Sequence, residues 1–175
     1  MTTGTIGTRA VRGRPGFMAR WRGAAWVVVL VAEIGLLAWC AMAALAPGLL
    51  AGPGGVPILQ AGYEGFTGAS WNELVATAPK TADYVNLLFR MFGTYGVAFS
   101  LAAIAVAATS YRRGEGWAWW TLLVGNSIAW ISAMAYDQIV HAVGPFETTE
   151  YLGLAAIYAC LAVTAPFGSP TRTTH

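Results

Sequence analysis

Long apolar runs, each bounded by residues that break a helix or carry charge, set the pattern of the chain. The first reads Ala24 to Ala46 and is closed by Pro47-Gly48, where a missing N–H and a freed backbone stop a helix. Three more run from Ala82 to Ser110, Trp117 to Val143 and Thr148 to Ala165. A hydrocarbon core of about 30 Å is crossed by about 20 helical residues, so the pattern predicts an all-α fold, an integral membrane four-helix bundle occupying Ala24 to Pro166. The arm Met1–Gly23 precedes it and the tail Phe167–His175 follows it.

The segment between the first two runs, Pro47 to Thr81, is predicted as a long outer loop. Its Gly- and Pro-rich part, Gly48 to Gly68, reads as irregular. Ser70-Trp71-Asn72-Glu73 is a serine followed three residues later by glutamate, a capping box that predicts a short helix ending before Pro79. Trp71, Leu74 and Val75 would lay that helix on the membrane surface.

Composition strengthens this reading. The 175 residues are 57% hydrophobic and 10% charged, against about 25% charged in ordinary soluble domains. A water-soluble globule is disfavoured, and the 13% aromatic content runs against disorder. A net charge of +2 does not suggest nucleic acid. The distribution of that charge is more telling than its sum. Arg9, Arg12, Arg14, Arg20 and Arg22 crowd the arm, and Arg112-Arg113 lie in the tight turn between the second and third runs. By the positive-inside rule these residues and Arg172 share the cytoplasmic side, which places both termini inside a cell membrane crossed four times. The arm also offers charge to anionic lipid. Cys40 and Cys160 lack metal-ligand spacing and read as buried thiols.

Ionisable and amide groups inside the runs are costly in lipid and need partners or a task. Glu33 lies about 13 Å from the inner end of its run and Arg90 about 12 Å from the outer end of the next, at 1.5 Å per residue. Matched depth predicts a buried Glu33–Arg90 ion pair, with fixing of helix register as its structural role. Asp83, Asn86, Arg90, Gly93 and Thr94 form a stripe on the second run. Asn126, Trp130, Ala133, Asp137 and His141 form another on the third. The two stripes predict an outward-opening polar cleft, with Asn86, Arg90, Trp130, Asp137 and His141 as ligand-cleft candidates. Asp137 with His141 is also the pattern of a base and its orienter, and interhelical hydrogen bonding is the alternative role for each of these groups. No set of metal ligands is predicted. Small residues at Gly35, Ala38 and Ala41, and at Gly93, Gly96 and Ser100, predict close helix packing, within the bundle or in a dimer.

Asn86, Arg90 and Gly93, together with Arg112-Arg113-Gly114-Glu115-Gly116-Trp117-Ala118-Trp119, resemble the small bacterial four-span proteins grouped as DoxX-like: an Arg followed by small residues in one span, then a basic, Gly- and Trp-containing turn. The long outer loop and Glu33 depart from that pattern. The resemblance implies a membrane bundle and, for some members, quinone or thiol redox chemistry.

Catalytic residues are not identified, and the function expected from these features is non-catalytic: a small membrane subunit or a bundle that binds membrane lipid or another amphiphile. The alternative is an intramembrane enzyme in which Asp137, His141, Glu33 and Arg90 handle protons for a lipid-like or quinone substrate, and a small oligomeric carrier is third. No cofactor is predicted, with quinone or lipid left open, as are a homo-oligomer and a larger membrane complex.

Overall fold

Pro47 and Pro79 mark the ends of the first long loop, because proline cannot donate to a preceding helical turn yet suits the first position of a new one. The computed structural model describes residues 17–141 and 145–166. All helices among them are α-helical apart from short 3-10 and π turns. The first, α1, spans Phe17–Leu45, and a 3-10 turn at Pro47–Leu49 follows it. Next come α2 (Ile58–Thr67), α3 (Trp71–Thr77), α4 (Pro79–Val106), α5 (Gly116–Val140) and α6 (Pro145–Val163). Arg9, Arg12, Arg14, Arg172 and His175, which carry much of the predicted arm and tail, lie outside the described residues, as does Val143 at the predicted end of the third run.

Two segments are long and apolar enough to cross a membrane: Gly23–Leu45, with mean hydropathy 2.3, and Pro79–Tyr111, with 1.7. The apolar stretch of α6, Thr148–Val163, is shorter. In α5 the aliphatic residues are diluted by Trp117, Trp119, Trp120 and Asn126. All four long helices nonetheless turn bulky apolar side chains outward, among them Val31, Leu101, Ile128 and Leu152, each more than half exposed. Soluble monomers rarely leave such surface uncovered. Hydroxyls along these helices are satisfied by carbonyls one turn back: Ser100 to Gly96 at 2.9 Å, Ser127 to Leu123 at 2.7 Å and Thr121 to Trp117 at 2.9 Å. That arrangement needs no water.

α1 is the central element, packing along α4 on one side and α6 on the other, with α5 against α6. Its inner stripe is Ala25, Val29, Glu33, Cys40 and Ala43, all buried. The stripe of small residues on α4 packs within the chain: a Cβ on Gly93 would meet the α1 backbone, and one on Gly96 would meet the side chain of Cys40. Gly35 and Ala38, by contrast, are exposed and do not join that contact.

The densest core lies toward the turn joining α4 to α5, where Val29, Ala107, Ala118, Leu122, Ile157 and Leu161 are buried together. α4 ends there in a π turn, Ala107–Tyr111. The wider turn carries the Tyr111 ring inward, and its hydroxyl meets Thr164 Oγ1 at 2.8 Å. Trp119 Nε1 donates to the Leu161 carbonyl at 2.7 Å. Beyond, Arg112 stacks 4.8 Å from the centre of the Trp26 ring. Glu115 accepts from Arg113 Nε and from Trp117 Nε1, both at 2.6 Å, and these contacts, that with Arg113 first, hold its carboxyl below the usual range.

The loop departs from expectation. Residues predicted to be irregular contain α2, which ends at Gly68 in the left-handed conformation (φ 70°) that favours glycine. Tertiary contact makes this helix: Gly62 lies against Tyr136 and Gly65 against the Val140 carbonyl of α5, and a side chain at Gly65 would overlap that carbonyl. α3 forms where the capping box placed it, but Ser70 makes no side-chain cap bond. Instead, the carboxylate of Glu64, from α2, accepts the Trp71 N–H at 2.9 Å. The helix start is capped from a neighbouring helix rather than from its own serine.

Candidate functional site

At the loop end of the bundle α4 and α5 touch little, and a cavity of about 500 Å³ lies between them. α1 and α4 bring Trp39, Phe89 and Phe92 to its wall. Trp39 meets both phenylalanines edge-on, at centroid distances of 6.4 and 6.1 Å, while the two phenylalanine rings lie 30° from parallel. Such edge contacts suit the ring quadrupoles. α5 contributes Ala133, Tyr136 and Asp137, and α6 contributes Glu150. Ile58 and Leu59 of α2 complete the wall from the loop side.

Two smaller spaces adjoin it. One, of about 330 Å³, shares Leu59, Val85 and Tyr136 with the main cavity and extends beneath α2 to Phe66, Ile139 and Val140. The other, of about 300 Å³, shares Trp39 and Glu150 and reaches inward to Trp130 and Gly153. Behind it, Trp130 Nε1 donates to Asn126 Oδ1 at 2.9 Å, and the Asn126 amide nitrogen donates to the Leu122 carbonyl at 2.9 Å. Glu33 is fully buried, and neither of its carboxyl oxygens has a hydrogen-bond partner.

The predicted site residues are thus dispersed. Asp137 lines the main cavity and Trp130 the inner one. Asn86 is half-buried beneath the loop, beside Pro47, Gln60 and Trp71. Arg90 is exposed. His141 ends α5 in the left-handed conformation (φ 53°), exposed, with its N–H on the Asp137 carbonyl. The Glu33–Arg90 ion pair does not form. Close approach of Gly93 and Gly96 to Cys40 sets the rotation of α4 and turns Arg90 outward, so matched depth was not matched direction. The same rotation exposes Asp83 and Thr94. Of the predicted stripe on α4 only Gly93 is buried, against α1, and Asn86 is half-buried, whereas on α5 Asn126, Trp130 and Asp137 are all buried. The cavity wall is mostly apolar rather than polar.

Sequence reasoning passed over Trp39, Phe89, Phe92 and Glu150. Aromatic residues in an apolar run carry no signal of their own, and Glu150 lies within the first turn of the fourth run, where a carboxyl group reads as the polar end of a helix. Among the described residues no group of three or more His, Cys, Asp and Glu side chains is placed to hold a metal ion. The chain matches no protein-family model, no curated protein and no solved structure.

Proposed function

We propose that this chain is a multi-pass membrane protein whose α1, α4, α5 and α6 each cross the bilayer, and that it binds an amphiphile, without catalysing its conversion, in the cavity between α4 and α5. The cavity carries the reading. Its volume of about 500 Å³ falls in the range of small-molecule sites, roughly 300–1,000 Å³, and its aromatic and aliphatic walls meet two carboxyl groups at one end of the bundle. Apolar side chains around the outside of all four helices support lipid as their solvent. Arg112 and Arg113 in the turn opposite the cavity, together with the arginines of the N-terminal arm, favour a cytoplasmic turn and an outward-facing cavity.

Native mass spectrometry from mild detergent tests the binding. The wild-type chain is expected to retain an amphiphile, and Ala133→Phe, which fills the cavity from α5, is expected to lose it with little change in melting temperature. A chain that carries no such molecule, or an Ala133→Phe variant that keeps it at the wild-type level, would refute the reading. Threading is checked separately by cysteine labelling in intact cells: a Cys at Thr77 is expected to react with an impermeant maleimide and one at Thr171 to be protected. The reverse pattern would invert the topology.

A further inference from the structure

Charge along the cavity is one-sided. Asp137 on α5 and Glu150 on α6 both line it, and among the described residues no Lys, Arg or His lines it or the space beneath α2. Arg90, the cation nearest in sequence to the aromatic wall, is exposed on α4, and Lys80 at the start of that helix is exposed as well. The same cavity is lined by the cluster of Trp39, Phe89 and Phe92. Carboxyl groups and aromatic faces share one preference. A cation gains from the ring quadrupole, most strongly where water is excluded, and its attraction to a carboxylate rises as the local dielectric falls. An anionic head would gain nothing from the rings, and any charge on the carboxyl groups would repel it.

The adjoining space supplies the other half of an amphiphile. Leu59, Phe66, Val85, Ile139 and Val140 line it beneath α2, and it carries no carboxyl group. A molecule with its head between Asp137, Glu150 and the aromatic cluster has apolar room for a chain in one direction.

We infer that the cavity selects an amphiphile with a cationic, ammonium-type head, the aromatic cluster and the two carboxyl groups receiving the head and the groove beneath α2 receiving the chain. This rests on the amphiphile-binding reading and adds the sign of the head-group charge, which that reading leaves open.

The test uses the full chain in nanodiscs of neutral lipid, titrated calorimetrically with four probes of equal chain length, with protein-free nanodiscs as the blank. The probes are dodecyltrimethylammonium, dodecylphosphocholine, dodecanol and dodecyl sulfate. Saturable binding of dodecyltrimethylammonium at least about tenfold tighter than dodecanol is expected, with dodecyl sulfate weakest. Dodecylphosphocholine carries the same ammonium beyond a phosphate: affinity equal to that of the trimethylammonium probe assigns the site to a lipid head, and weaker binding assigns it to a free ammonium amphiphile. In the D137N/E150Q variant the preference for ammonium over dodecanol is expected to collapse. The probe series on the wild-type chain and the single variant E150Q keep the result readable should the double variant not fold. Equal binding of ammonium and dodecanol, or preference for sulfate, would overturn the charge assignment while leaving amphiphile binding standing. Absence of saturable binding by all four probes would overturn both.

Discussion

Replacing Gly93 by alanine adds one methyl group where α4 meets α1. That methyl would lie 2.5 Å from the Ala44 nitrogen, 2.8 Å from the Cys40 carbonyl oxygen and 2.9 Å from the Ala43 carbonyl carbon. All three are backbone atoms of one helix, so no side chain can rotate away. Ordinary contact begins near 3.5 Å, so the two helices must separate by about 1 Å along their tightest line of approach. Overpacking of this kind costs about 1–3 kcal/mol, offset by about 0.5–1 kcal/mol from replacing glycine inside a helix. A net loss of about 1–2 kcal/mol is expected, or a fall of roughly 2–8 °C in melting temperature for a chain of this size. Two companions calibrate it. Gly96→Ala meets chiefly the Cys40 side chain, whose sulfur can move, and Gly35→Ala meets nothing within 4 Å. The expected order of stability in mild detergent, followed by circular dichroism on heating, is Gly35→Ala above wild type, then Gly96→Ala, then Gly93→Ala. A Gly93→Ala variant as stable as Gly35→Ala would show that α1 and α4 do not approach along this line, and the orientation of Arg90 would be in question with it.

Two further outcomes follow from the polar groups. Glu33→Gln is expected to leave stability unchanged or raised, since it removes an ionisable group from a fully buried site where neither oxygen has a hydrogen-bond partner. Arg90→Gln, at an exposed position, is expected to change it by no more than about 0.5 kcal/mol, and the double variant should be additive within about 0.5 kcal/mol. Thermal melts of the four chains decide this, and a coupling well above that limit would mean that the two side chains meet. Glu115 has its carboxyl held below the ordinary value of 4.5, chiefly by Arg113. A carboxyl depressed on folding adds stability above its unfolded value and loses it as pH falls through the folded one. Acidification below about pH 4.5 should therefore narrow the stability gap between wild type and Glu115→Gln, and a gap independent of pH would show the Arg113–Glu115–Trp117 cluster to be thermodynamically silent.

Helical character, the break at Pro47, the short helix before Pro79 and the membrane-compatible length of the first two runs follow from local rules of periodicity, proline chemistry and hydropathy, all readable along the chain. The inner face of α5 was legible in part for the same reason: residues spaced by three and four fall on one side of a helix whatever it packs against, and Asn126, Trp130 and Asp137 are each buried, whereas His141, one turn on, caps the helix end and is exposed. The rotation of α4 was not legible, because depth along a helix is a property of sequence and direction around it is a property of packing. Gly93 and Gly96, by admitting the α1 backbone, decide which side of α4 turns inward, and they send Arg90 away from Glu33. The helix Ile58–Thr67 was hidden as well, since its glycines weaken it locally and only contact with Tyr136 and Val140 explains them. Trp39, Phe89, Asp137 and Glu150 lie on four different helices. Their meeting around one cavity depends on how closely those helices pack, which no single run of sequence contains.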